Sequence, residues 1–190
     1  MMQPTTLQPG FAKPDTDAAQ AFRAIMRAMA RPGTIEAADG VVPPAPLSVA
    51  AGAVLLTLCD TETPLYLAGN ADCAAVRAWV GFHTGAPFCE AAQCSFALGT
   101  WDALMPLSAY PVGTDEYPDR SATLIVERPE LLPQGTVLRG PGIETQAHLS
   151  LPETVAFQRN AAQFPRGLDF IFTSRDRIAA LPRTTRVEAA

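Results

Sequence analysis

Short apolar runs alternate with stretches of helical periodicity along this chain, and that alternation constrains its fold more than any other feature. The runs are Pro64 to Ala68, Ser95 to Gly99, Ala122 to Glu127, Thr136 to Arg139, Leu168 to Thr173 and Ile178 to Pro182. They are rich in β-branched or aromatic residues and too short for helices, which reads as strands. Ala18, Phe22, Ile25, Met26 and Met29 recur at helical spacing and predict a helix from Asp15 with that apolar face inward. Asp15 or Asp17 is expected to cap its start, and Pro32 with Gly33 to stop it.

Leu47 to Leu58 predicts a helix buried almost all round. Asn70 or Asp72 can cap the next one, which presents Val76, Trp79, Val80 and His83. Ser150 and Glu153, with Pro152 between them, have the spacing of a capping box for a helix reaching about Gln163. This order predicts a layered α/β fold, in which helices flank a mostly buried mixed sheet. One such domain is expected over 15–190, after an extended polar arm over 1–14.

At 190 residues the chain can bury a sizeable core without a metal or disulfide. Its charged fraction of 17% is below the usual quarter, a hint that some surface lies against a partner. The net charge of −5 argues against non-specific binding to nucleic acid or anionic membranes. Lys13 is the only lysine among fourteen basic residues. Cys59, Cys73, Cys89 and Cys94 lack CxxC spacing and have only His83 and His148 to join them, so no structural zinc or iron–sulfur site is expected. Without a secretory leader or a bilayer-length apolar run, reduced thiols in a cytoplasm are the simplest expectation.

Four positions stand out as candidate site residues. His83 follows a helix in a Gly/Pro-bounded loop, where imidazole can act as acid or base, though a helix-end histidine more often serves the last carbonyls. Arg166, Arg183 and Arg186 lie near two strand ends with Thr184 and Thr185 between, a pattern that suits an anion or a partner as well as simple edge solvation. Gly140-Pro141-Gly142 reads as a turn, not a phosphate loop, because no helix pattern follows. Asp115, Glu116 and Asp119 read as a solvated acidic loop. Arg23, Arg27 and Arg31 make a stripe along the first helix, solvated or facing an acidic partner.

The same stretches carry a family resemblance. Phe22 to Gly33, Leu55 to Pro64, Phe82 to Pro87, Phe164 to Asp169 and Leu181 to Thr185 resemble, in order, blocks of the PhnH family, the H subunit of the bacterial carbon–phosphorus lyase system. The resemblance implies a fold similar to the large domain of pyridoxal-phosphate-dependent transferases, without the cofactor site. It also implies a homodimer that associates with G, I and J subunits. That assembly joins a phosphonate to the ribose of ATP in place of adenine, as a phosphonate ribosyl 5-triphosphate synthase. The radical chemistry on the carbon–phosphorus bond belongs to the J subunit and its iron–sulfur cluster. An accessory, non-catalytic role without a cofactor is therefore expected. The alternative is an autonomous hydrolase or transferase using His83 with a cysteine. A pyridoxal-phosphate enzyme is disfavoured, because its Schiff base needs a firmly held lysine and Lys13 lies in a Pro-flanked segment.

Overall fold

Period-two alternation runs through the central strands and decides which side chain faces which layer. The computed structural model describes residues 10–189. Its main sheet has six strands in the order β1-β8-β7-β4-β3-β2. These are β1 (Glu36–Ala37), β2 (Leu65–Leu67), β3 (Phe96–Thr100), β4 (Thr123–Glu127), β7 (Asp169–Ser174) and β8 (Arg177–Leu181). β2, β3, β4 and β7 are parallel, while β8 and β1 run antiparallel to their neighbours, so the sheet is mixed as expected.

Leu98, Ile125, Ile171 and Ala180 point to one face, and Ala97, Leu124, Phe170, Phe172 and Leu181 to the other. Both faces are buried, which is why these strands read as near-continuous apolar runs. The first face is covered by α1 (Pro14–Ala30), α2 (Val49–Leu58) and α3 (Ala74–Thr84). The second carries α4 (Trp101–Leu104), α5 (Val155–Ala161) and a three-stranded sheet of β6 (Ala147–Leu149), β5 (Thr136–Arg139) and β9 (Arg186–Glu188). Phe157 of α5 stacks on Trp101 at 4.8 Å between centroids and meets Phe170 edge-on at 4.9 Å. Burying one such aromatic contributes about 1.5–3 kcal/mol, so this contact fastens the second layer.

Several expectations change in detail. In α1 the buried face is Ala21, Ala24, Ile25 and Ala28, whereas Phe22 and Met26 are 50% and 52% exposed. Small residues let α1 approach α2 and β8 closely, and the larger apolar ones are left facing out. Lys13, not an aspartate, is the N-cap, although Asp17 accepts from its backbone N–H at 2.7 Å. Asp72 does not cap α3 but pairs with Arg77, and Cys73 stands at the N-cap. The capping box at Ser150 does not form. The Ser150 hydroxyl accepts from the Leu132 N–H at 2.9 Å, and α5 starts only at Val155. Of the expected arm, residues 1–9 lie outside the described residues. Phe11 is buried and bridges to Val41.

Candidate functional site

In open α/β sheets, ligands tend to bind beyond the carboxyl ends of the strands. Here the start of α2 is seated there. The Ala50 N–H donates to the Arg175 carbonyl at 2.7 Å, and the Ser48 N–H donates to Glu127 Oε1 at 2.7 Å. Glu127 Oε2 accepts from the Thr173 hydroxyl at 3.0 Å. A carboxylate of the chain itself thus takes the place an anion would take at that helix N-terminus. Burial pushes the Glu127 carboxyl above its usual range, and the bonds from Ser48 and Thr173 oppose that rise.

His83 lies in the last turn of α3, not beyond it. Its ring packs edge-on between Trp79 at 5.1 Å and Phe82 at 4.9 Å. Two of the cysteines, Cys59 and Cys94, are buried. Burial pushes the Cys59 and Cys94 thiols up to about 12, the opposite of what a reactive thiolate needs. α3 covers the first face of the sheet and the small sheet covers the second, so His83 and Arg186 sit on opposite layers.

Of the three arginines, Arg183 and Arg186 border one cavity and Arg166 is not among its lining residues, and their roles are unequal. Arg183 is mostly buried and its guanidinium bonds Asp169, the Pro118 carbonyl and the Ser121 hydroxyl. Arg183 Nε donates to Asp169 Oδ1 at 3.2 Å, and its backbone N–H to the same oxygen at 2.8 Å. Arg166 is exposed and pairs with Asp115 at 3.2 Å, which gives part of the acidic loop a partner. Arg186 projects from β9 into a cavity of about 390 Å³ that Arg139, Phe164 and Thr184 also line. Arg139 was not among the candidate residues. Its role depends on β9, and a three-residue strand between Thr185 and Ala189 carries too weak a pattern to be read from sequence.

Gly140-Pro141-Gly142 is a turn, as expected. Gly142 has φ +80°, and a Cβ there would collide with the Ala30 carbonyl at the end of α1. The turn therefore lies close against the end of the first helix, an approach that only glycine allows. An apolar groove of about 530 Å³ opens beside it, lined by Met29, Pro141, Phe164, Pro165 and Pro182 among others. Phe164 is 61% exposed. Among the described residues, no group of histidine, cysteine and acidic side chains could hold a metal, and no helix is long and apolar enough to cross a membrane.

The fold and these polar groups define a layered α/β protein with an arginine-lined cavity outside its smaller sheet. The chain belongs to the PhnH family of bacterial phosphonate metabolism proteins, whose model matches residues 9–188. A relative in Rhizobium meliloti (strain 1021), the alpha-D-ribose 1-methylphosphonate 5-triphosphate synthase subunit PhnH, is 42% identical over 188 residues. The alignment covers 94% of each chain.

Proposed function

We propose that this chain is an accessory subunit of a cytoplasmic phosphonate-degrading assembly, supporting the formation of ribose 1-phosphonate 5-triphosphate from ATP and a phosphonate. Its partners in this reading are G, I and J subunits, and it pairs with itself when they are absent. The end-to-end likeness to a named synthase subunit carries the proposal. The outward apolar stripe of α1 and the groove that continues from it supply a surface for such contacts. Arg186, in the neighbouring cavity that shares Phe164 and Thr184 with that groove, and the exposed Arg166 suit recognition of an anion or an acidic partner.

The mixed sheet with helices on its first face is in keeping with a likeness to the large domain of pyridoxal-phosphate-dependent transferases. The cofactor chemistry is another matter. Lys13, the sole lysine, stands exposed at the start of α1. The test is genetic: deletion of the gene should abolish growth on methylphosphonate as sole phosphorus source, and inorganic phosphate should restore it. A tagged copy should also retain the partner subunits through purification. Normal growth of the deletion strain on methylphosphonate would end the proposal.

A further inference from the structure

The outer face of the small sheet holds two positive charges where pairing rules favour one of each sign. β5 and β9 run antiparallel with Arg139 directly opposite Arg186. Leu138 and Val187, the next pair along, face the core, so both guanidinium groups leave the ladder on its outer side. Like charges in that relation repel and destabilise the pair.

Nearby acids offset this only in part. Glu188 lies diagonal to Arg139, with Nε to Oε2 at 3.4 Å and both side chains about half exposed, so the pair is weak and screened. Arg139 also donates to the Thr145 carbonyl at 2.9 Å and to Gln146 Oε1 at 3.0 Å. These bonds fix the guanidinium in position and leave part of its five-donor set unused. The Arg186 side chain makes no hydrogen bond or ion pair among the described residues.

The two groups border the cavity of about 390 Å³, a size typical of small-molecule sites. Its wall is short backbone on one side. Gly140 has φ +139°, and a Cβ there would stand 3.1 Å from the Thr184 carbonyl. Its other side is the exposed ring of Phe164. Arg183 also reaches the cavity, but Asp169 neutralises it.

We propose that Arg139 and Arg186 form a clamp for a doubly charged tetrahedral oxyanion of the phosphoryl or phosphonyl class, whose organic substituent lies against Phe164. Both guanidinium groups border one cavity, where the N–H donors left to them can share the oxygens of such a group, and a second negative charge on it strengthens the attraction. A nucleic acid or an anionic membrane fits less well, because the chain carries a net charge of −5. The clamp goes beyond the subunit reading, since it concerns what the isolated chain binds.

Calorimetric titration of the full chain, at fixed ionic strength in chloride, tests it with inorganic phosphate, phenylphosphonate and pyrophosphate. The expected result is saturable one-to-one binding, with phenylphosphonate tighter than phosphate and that gain lost in Phe164→Ala. Arg139→Gln and Arg186→Gln should each weaken binding about tenfold or more, since each removes a charge-assisted contact. Arg77→Gln, on α3 beneath the opposite layer, should leave it unchanged. Because Arg139 and Arg186 are exposed, circular dichroism should report both variants folded. Absence of saturable binding, equal losses in Arg77→Gln, or arginine variants that bind like the parent would each overturn the clamp. Tightest binding of pyrophosphate, indifferent to Phe164→Ala, would overturn the organic substituent. None of these results alters the growth phenotype of the deletion strain, so failure here is distinct from failure of the subunit reading.

Discussion

Glu127 accepts from the Ser48 N–H at the start of α2 and from the Thr173 hydroxyl, yet burial raises its pKa because the charged form is poorly solvated. Between the unfolded value of 4.5 and the raised folded value, the native chain holds a proton that the unfolded chain has released. Stability from this group is therefore full below 4.5 and falls as pH rises through that window. Glu127→Gln keeps an acceptor for Ser48 and cannot titrate. Its stability relative to the parent should rise with pH across the window and then level off, as read from urea midpoints between pH 4 and 7. A difference that stays constant with pH would refute the assignment. Arg183 makes a different case. With only 13% of its side chain exposed, and 16% of that of Asp169, it belongs to the frame that joins β7 and β8 to the loop at Pro118. Arg183→Ala should cost about 3 kcal/mol in denaturant unfolding, because a mostly buried Asp169 would lose its counter-charge. A loss under about 0.5 kcal/mol, the scale of an ordinary surface change, would refute it. The sequence placed Arg183 and Arg186 in one cluster. Only the paths of β8 and β9 separate a structural arginine from an outward one.

Elements were legible where the pattern was strong. The strands at 96–100, 123–127, 169–174 and 177–181 and the helix at 49–58 lie close to where their apolar runs placed them. What failed was orientation and local bonding. The spacing of Phe22, Ile25 and Met26 marks an apolar face, but α1 lies tightly enough on α2 and β8 that alanines occupy the contact. Periodicity counts apolar residues and takes no account of how closely two helices approach. Likewise Ser150 and Glu153 have capping-box spacing, but the Leu132 N–H claims the hydroxyl from outside the segment. The shifted face of α1 has a measurable consequence. Ala28→Leu should cost about 1–3 kcal/mol by overpacking a fully buried position. Phe22→Ser with Met26→Ser should change stability by no more than about 0.5 kcal/mol, as exposed sites do. Urea unfolding of both variants decides it, and the reverse ranking would restore the inward face that the periodicity implied.

For the molecule as a whole, the two readings of function place the important residues on different surfaces. An autonomous hydrolase or transferase would depend on His83, in the last turn of α3 between Trp79 and Phe82. An assembly subunit would depend on the outward side of α1 and the groove beside Phe164, where apolar groups meet solvent. The sequence could show low charge content and an apolar helix, but not that Phe22, Met26 and Phe164 would all be left exposed. That outcome follows from packing. The contrast can be tested in one strain lacking the chromosomal gene, complemented with variants and grown on methylphosphonate as sole phosphorus source. His83→Ala should support growth like the parent, because a histidine at a helix end contributes on the order of 1 kcal/mol. Phe22→Ser with Met26→Ser should remain folded in isolation, fail to retain partner subunits through purification, and fail to restore growth. If His83→Ala is folded but cannot restore growth, while the α1 variant grows and retains its partners, the chemistry resides in this chain and the accessory reading is wrong.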